Sequence, residues 1–189
     1  MTKASLSRAT LLIIMSVAVC VSVAVCTPED RVPDPPAREE FISPDKTYVF
    51  EVSTPDAWKT RKSVGRLFEV AAGNRRLLWT RQLPHEWRPR FVMAGARGNV
   101  LLIDEWANIT SRYALMLLDR ENRVVAQHDF DAIQKVLAVP RAQIAQMGRH
   151  GVWIVKPPAW ESPGSSVVIE AAGKVLRVNL ADGSLSLAR

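Results

Sequence analysis

Short apolar runs separated by turn-forming residues recur along the chain from residue 41 onward. The runs are rich in Val, Leu and Ile and end close to Gly, Asn or Asp, which is typical of β-strands joined by tight turns. This pattern predicts the following strands: Thr47–Ser53, Arg66–Ala71, Arg76–Gln82, Asn99–Asp104, Tyr113–Asp119, Val124–Asp129, Val152–Lys156, Val167–Ala171, Lys174–Leu180 and Ser184–Leu187. The fold class that follows is all-β, built from antiparallel hairpins.

One segment departs from the strand pattern and predicts a short helix over Asp129–Val139. Asp131 is a candidate N-cap, and Pro140 would end the helix because proline cannot continue it. The apolar residues that fall on one helical face are Ile133, Val136 and Leu137. Residues 141–148 could add another turn. We expect this helix to pack over a sheet.

The strands recur with a period of about 50 residues. Three apolar runs open 52 residues apart, at Tyr48–Glu51, Val100–Ile103 and Val152–Val155. Three turns follow a similar spacing, at Gly73, Asn122 and Gly173, which are 49 and 51 residues apart. Periods of roughly 40 to 50 residues with four strands each are typical of propeller blades. The spacing therefore predicts three units, each a small antiparallel sheet.

The openings of the first two units resemble known β-propeller repeats. Ser43–Lys46, followed by Tyr48–Phe50, resembles the Ser-Pro-Asp-Gly-Lys opening of propeller repeats found in many exported bacterial proteins. Val100–Trp106 and Ala114–Phe130 are similar to the corresponding unit of small propeller-like secreted proteins of no established function. In that unit an Asp-x-Trp element leaves one strand, and a Leu-Asp-Arg-x-Gly-x-Val hairpin joins the next two. The resemblance implies three blade-like sheets over most of residues 42–187, and it implies no activity.

The chain departs from the propeller pattern in its turns and in its number of units. Lys46 and Asn122 stand where the repeats have Gly, and the first unit is lengthened around Pro84–Pro89. Propellers typically close with about four to eight blades, so three units leave sheet faces uncovered. We expect either a compact incomplete propeller or sandwich of three sheets, or an oligomer in which two chains complete one ring.

The first 26 residues predict an N-terminal hydrophobic helix that serves in export. Lys3 and Arg8 precede an uncharged, mostly apolar run of 18 residues, Ala9–Cys26. At about 1.5 Å per residue this run spans roughly 27 Å, close to the thickness of a bilayer core. Residues 1–26 are therefore a signal peptide or a membrane anchor. We expect the domain to be extracytoplasmic: periplasmic, secreted, or held at the inner membrane by the uncleaved segment.

Small residues within this run fit cleavage by signal peptidase. Ser22 and Ala24 match the small-x-small pattern, which favours cleavage after Ala24. Lipid attachment at Cys20 or Cys26 is an alternative, although each follows a Val where such sites normally have a small residue. Beyond Cys26 the chain has no Cys, so it has no disulfide framework.

A Pro-rich linker is predicted over residues 27–40. It contains four prolines and seven charged residues, a composition that favours an extended, solvated spacer. Residues 41–189 then form a single β-propeller-like domain of 149 residues, which is large enough to bury its own core.

The chain offers no recognisable catalytic or metal-binding motif. Its histidines, His85, His128 and His150, lack the paired spacing of metal ligands. Asp104 and Glu105 are adjacent, so a strand would point them to opposite faces, and neither a serine elbow nor a phosphate-binding loop occurs. We predict no catalytic residue, metal or cofactor. The alternative is a hydrolase whose loop-built site joins His85 or His150 to Asp104 or Glu105.

Positive charge is concentrated in one stretch of the chain. Between Lys59 and Arg97, ten Lys or Arg residues accompany two Glu, a net charge of +8, whereas the whole chain carries +6. Arginine binds phosphate or carboxylate bidentately, and tryptophan stacks on bases or sugars. The stretch predicts an anionic partner, bound by Arg75, Arg76, Arg81, Arg88, Arg90, Trp79 and Trp87. Because neighbouring strand residues point to opposite faces, an ordinary solvated face is the alternative.

These features together predict an exported, non-enzymatic binding or structural module of the bacterial cell envelope. Its partner would be an anionic envelope polymer or a protein, since export argues against nucleic acid. Trp106 and Trp160 border loops and are further candidates for surface contacts, whereas Trp153 is expected in the core.

Mass spectrometry of the mature N-terminus tests the export assignment. Cleavage after Ala24 leaves a chain that begins at Val25, and this is the expected result. An N-terminus at Met1 or Thr2 would instead show a retained anchor, and a lipid-modified Cys would show a lipoprotein.

Overall fold

Strands dominate the computed structural model, which describes residues 34–106, 112–147 and 153–188. Its strands are β1 (Arg38–Ile42), β2 (Tyr48–Ser53), β3 (Val64–Ala71), β4 (Asn74–Gln82), β5 (Pro89–Ala94), β6 (Val100–Glu105), β7 (Leu115–Leu118), β8 (Val124–His128), β9 (Ala159–Ser162), β10 (Ser166–Ala171), β11 (Lys174–Asn179) and β12 (Leu185–Leu187). Two short helices, α1 (Phe130–Leu137) and α2 (Arg141–Met147), lie between β8 and β9. The predicted β-rich fold is therefore confirmed.

The strands form three separate four-stranded antiparallel sheets. Sheet A contains β1–β4, sheet B contains β5–β8, and sheet C contains β9–β12. Within each sheet every strand pairs with the strands that precede and follow it in the chain. Each sheet is thus a meander, with its first strand at one edge and its last strand at the other.

Tight turns join the strands where the sequence pattern predicted them. In sheet A, Ala72 and Gly73 have φ of 50° and 78°, and in sheet C, Ala172 and Gly173 have φ of 50° and 73°. Two central residues with positive φ suit a two-residue hairpin, because this turn matches the twist of the flanking strands. Asn122 adopts φ of 67° in the turn between β7 and β8, a conformation that Asn tolerates better than most residues.

The Ser-Pro-Asp-Lys segment forms the turn between β1 and β2. The Ser43 hydroxyl donates to the Asp45 carboxylate at 2.7 Å and accepts the backbone N–H of Tyr48 at 2.9 Å. Lys46 has φ of 61°, a left-handed conformation that costs an L-residue roughly 1 kcal/mol relative to Gly. Lys46 therefore replaces the Gly of the propeller repeats in the same turn, and its backbone is strained there.

The two central strands of sheet B, β6 and β7, are buried on both faces. Every residue of β6 and β7 is buried. Because side chains alternate along a strand, Val100 and Leu102 contribute to a hydrophobic cluster shared with sheet A, whereas Leu101 and Ile103 contribute to a cluster shared with the helices and sheet C. The continuous apolar runs of these strands are the sequence signature of burial on both sides.

The N-cap of helix α1 lies two residues earlier than predicted. The Asp129 carboxylate accepts the backbone N–H of Ala132 at 2.9 Å, so Asp129 is the N-cap. The prediction of Asp131 as the N-cap was wrong. Its carboxylate lies in the first turn, where its negative charge interacts favourably with the helix dipole. Ile133 and Leu137 are buried as expected. The helix contacts β8 of sheet B and the last two strands of sheet C.

The predicted strand Val152–Lys156 is wrong for its described residues, 153–156. They form no strand, although the Val155 N–H donates to the Glu170 carbonyl at 2.9 Å. Pro157 and Pro158 follow and lack the N–H that would continue the ladder. Trp153 is nevertheless fully buried, so the apolar residues here reflect packing and not strand pairing.

The predicted period holds for two of the sheets and fails for the third. The second strands of sheets A and B begin at Tyr48 and Val100, 52 residues apart. The second strand of sheet C begins at Ser166, because α1 and α2 occupy the intervening chain. Accordingly, Gly173 lies between the second and third strands of its sheet, whereas Gly73 lies between the third and fourth.

The first strand of each sheet was missed from the sequence. These are β1, β5 and β9, and β1 begins at Arg38, within the last residues of the predicted linker. The N-terminal hydrophobic helix, which was predicted as a signal peptide or anchor over residues 1–26, lies outside the described residues. In the described part of the chain, no helix combines the length and hydropathy needed to cross a membrane.

Truncation of Leu102 tests the double burial of sheet B. Leu102 is 0% exposed, whereas Leu77 on β4 is 50% exposed and serves as a matched control. We expect Leu102→Ala to lower the free energy of unfolding by about 2 to 5 kcal/mol, because it leaves a cavity between sheets. Leu77→Ala should lower it by less than about 1 kcal/mol. Urea unfolding measures both, and equal losses would contradict this packing.

Candidate functional site

A cleft of about 370 Å³ lies where the first strands of the sheets approach one another. It is lined by Pro36, Glu39, Phe41, Arg90, Phe91, Val92, Met93, Trp106, Pro157 and Pro158. Glu39 and Phe41 belong to β1, the next four belong to β5, and the last two prolines immediately precede β9. The cleft is therefore mostly apolar, with one basic and one acidic side chain in its lining.

Arg88 contacts three residues of the cleft lining and is only 1% exposed. Its Nη1 is 2.5 Å from Oε2 of Glu39. Its guanidinium carbon lies 5.4 Å from the ring centre of Phe41 and 5.6 Å from that of Trp106. A buried cation needs such compensation, and aromatic faces add to it. Arg88 thus joins β1, the start of β5 and Trp106, and its charge is already neutralised.

Arg90 lines the cleft and differs from Arg88 in having no carboxylate partner. Its Nη1 donates to the Trp106 carbonyl at 2.5 Å, and its guanidinium carbon lies 5.1 Å from the Trp106 ring centre. Among the described residues no carboxylate oxygen lies within 4.0 Å of its nitrogens. Partial burial lowers the pKa of Arg90, and nearby Asp104 acts in the opposite direction. The side chain is a cation with hydrogen-bond donors left for a ligand.

Asp104 lies behind Arg90 in an unusual conformation. It is 0% exposed and adopts φ of 56°, and neither carboxylate oxygen makes a hydrogen bond of good geometry. Burial raises the pKa of Asp104 to about 8, and the neighbouring Glu105 carboxylate raises it further. The Glu105 backbone, the Trp153 indole and Arg90 lower it by less. At neutral pH the carboxyl is mainly protonated and leaves the charge of Arg90 largely uncompensated.

The residues of the hydrolase alternative are absent from the lining of the cleft. His85 is 2% exposed, its ring lies 5.4 Å from that of Tyr113, and burial lowers its pKa to about 3, against a smaller opposing effect of the Tyr113 backbone. Glu105 accepts the backbone N–H of Glu86 at 2.6 Å. His150 lies outside the described residues. Within those residues no group of three His, Cys, Asp or Glu is placed to hold a metal ion.

Three further predicted arginines lie away from the cleft, and each has a partner elsewhere. The pairs are Arg75 with Glu40, Arg76 with Glu69, and Arg81 with the backbone and side-chain oxygens of Asn122. Hydrogen bonds from Arg75 and Arg76 hold the pKa of Glu40 and Glu69 below its usual value. The positive stretch is therefore partly compensated on sheet A.

The two predicted tryptophans also lie elsewhere. Trp79 is 9% exposed and packs in the core against Phe50, with ring centres 5.6 Å apart. Trp87 packs against Trp58, with ring centres 5.7 Å apart. The guanidinium carbon of Arg61 lies 5.3 Å from the Trp87 ring centre. Of the seven predicted binding residues, only Arg88 and Arg90 meet, and they meet at Trp106.

The acidic and aromatic residues of β1 were missed as site residues. Glu39 and Phe41 fell at the boundary between predicted linker and domain, and about 50 residues separate them from Arg88 and Arg90. The pairing of β1 with β2 and the packing of β1 beside β5 bring them to the cleft. Trp106 was recognised as a candidate for surface contacts because it borders a loop, and it does line the cleft.

Comparisons with known proteins assign the chain to no group. No protein-family model and no curated protein matches it. Among solved structures it is similar to a europium-containing methanol dehydrogenase, with a TM-score of 0.37 and 11% sequence identity over 76% of this chain. The chain spans 23% of the length of that dehydrogenase. A likeness of this size carries neither fold nor function.

The pH dependence of stability tests the buried state of Asp104. Its folded pKa of about 8 exceeds the ordinary value of 3.8, so the folded protein holds a proton that the unfolded chain has released between these values. The contribution of the Asp104 carboxyl to the free energy of unfolding is fully present below about pH 4 and is lost as pH rises to about 8. Asp104→Asn removes the effect.

The stability of wild type relative to Asp104→Asn should therefore fall by about 1 kcal/mol or more between pH 4 and pH 8. Urea unfolding at fixed pH steps measures this difference, to which His85 contributes equally in both proteins. A difference that is constant or rises with pH would show that Asp104 is ionised in the folded state.

Proposed function

We propose that this domain is an exported, non-enzymatic, propeller-like binding module of the bacterial cell envelope, which contacts an anionic partner through the cleft beside Trp106. The observation that carries the proposal is Arg90. It is a partly buried cation in the lining of a largely apolar cleft, with no carboxylate within 4.0 Å among the described residues.

The order and stacking of the sheets support a propeller-like arrangement. Each sheet is a four-stranded meander, and sheet B is covered by sheet A on one face and by the helices and sheet C on the other. In a propeller the sheets surround a central channel lined by their innermost strands. Here β1, β5 and the residues before β9 meet at the cleft, which would correspond to the channel of an incomplete propeller.

The electrostatics of the cleft favour an anion. A guanidinium that has lost part of its hydration is stabilised by a charged acceptor, and charge-assisted hydrogen bonds are about twice as strong as neutral ones. Asp104 is mainly protonated at neutral pH, so it does not supply a charged acceptor for Arg90. Glu39 is engaged with Arg88. Phosphate or carboxylate groups of an envelope polymer or of a partner protein would complete the site.

The apolar N-terminal segment and the Pro-rich residues after it support placement of the domain outside the cytoplasm. If the segment stays uncleaved, it would hold the domain at the membrane. The described lining of the cleft contains no His, Ser or Cys, so this cleft does not support the hydrolase alternative.

Two arginine variants with the same loss of charge test this function. Arg90→Gln removes the cation in the cleft, and Arg97→Gln removes an exposed arginine from the turn between β5 and β6 that does not line the cleft. On a phosphate-bearing cation-exchange matrix, Arg90→Gln should elute at lower salt than Arg97→Gln, because only Arg90 presents a partly desolvated donor set.

The comparison requires that both variants unfold at the same urea concentration as wild type. Elution of the two variants at the same salt concentration would mean that retention follows net charge alone, and the cleft would lose its assigned role.

A further inference from the structure

We infer that the cleft binds an extended peptide segment of a separate protein, which adds as a strand to the free edge of β5 and places an acidic side chain at Arg90. This inference rests on the proposed function, since it takes the cleft as the binding site and names the class of partner.

β5 is an edge strand. It pairs with β6 on one side, and in the described part of the chain no strand pairs with it on the other. An edge strand presents a row of backbone N–H and C=O groups that can accept another strand, and proteins usually cover or disrupt such edges. Here the edge forms part of the wall of a cleft.

The lining of the cleft shows that it runs along this edge. Four consecutive residues, Arg90 to Met93, line it. Neighbouring side chains on a strand point to opposite faces, and indeed Val92 packs toward sheet A whereas Phe91 and Met93 pack toward sheet C. A cleft lined by all four residues therefore follows the strand edge.

Among the described residues, the proline segments that border the edge make no backbone hydrogen bond to β5. Pro36, Pro157 and Pro158 line the cleft and have no N–H to donate. The apolar faces of the prolines and of Phe41 instead form walls between which an extended chain can lie.

The chemistry of the cleft selects among ligands. A small anion would satisfy Arg90 alone and would leave the strand edge and the apolar walls exposed. A peptide strand satisfies all three features: its backbone pairs with β5, alternate apolar side chains contact the walls, and one carboxylate reaches Arg90. The cleft volume of about 370 Å³ lies at the small end of ligand pockets, which suits a segment of a few residues.

Synthetic hexapeptides test the inference on the full-length chain. The set consists of acetylated peptides with Val and Thr in alternation, in which each Thr in turn is replaced by Glu. We expect at least one Glu peptide to bind in calorimetry and to slow hydrogen exchange of those backbone amides among residues 90–93 that point away from β6. The same peptide with Gln should bind about tenfold more weakly, and a copy N-methylated along one edge should not bind.

The arginine pair used above separates the charge from the backbone contribution. With Arg90→Gln, the Glu and Gln peptides should bind with equal affinity, while Arg97→Gln should keep the tenfold preference for Glu. Equal unfolding midpoints of the two variants in urea show that neither effect comes from a loss of folding.

Several results would overturn strand addition. They are that no peptide of the set binds, that the N-methylated copy binds as well as its parent, that inorganic phosphate alone gives the same protection at residues 90–93, or that the amides of these residues that point away from β6 are already protected in the free chain. If the two variants still differ on the phosphate matrix, the proposed anionic function stands without the peptide. If they do not differ, both proposals fail.

Discussion

The burial of β6 and β7, the central strands of sheet B, on both faces is the constraint on which the rest of the structure depends. Every residue of β6 and β7 is buried, so the sheet requires sheet A on one side and α1 with sheet C on the other. This layering fixes the free edge of β5 beside β1, and it thereby fixes the position of the cleft. If one face of sheet B were solvated, only one other sheet would have to pack on it. The cleft would then lose either the residues of sheet A or the prolines before sheet C.

Two arginines that are two positions apart differ in role because their acidic neighbours differ. Arg88 is buried against the carboxylate of Glu39, and the pair ties β1 to the start of β5. Arg90 has Asp104 behind it, and burial keeps that carboxyl mainly protonated at neutral pH. The left-handed conformation of Asp104 is a local strain that the surrounding sheet maintains. The charge offered to a ligand therefore depends on how deeply one carboxyl is buried.

Sequence patterns predicted the elements whose local signal is strong, such as the apolar run of β6, the turn at Gly73 and the helix before Pro140. They missed β1, β5 and β9 because these strands are short and polar or begin with proline, and pairing with a neighbouring strand stabilises them. The same limit applies to the site. The basic stretch is continuous in sequence, but strand alternation sends Trp79 into the core and pairs Arg75 with an acid, so only spatial structure selects Arg90.

Hydrogen exchange of the free protein, followed residue by residue, tests the central claim that sheet B is a doubly covered layer with an open edge at β5. The account predicts that the amides of β6 and β7 exchange most slowly, through global unfolding, while alternate amides of β5 exchange much faster because they face the cleft. Uniformly slow exchange along β5, or exchange in β6 and β7 as fast as in the outer strands of sheets A and C, would contradict it.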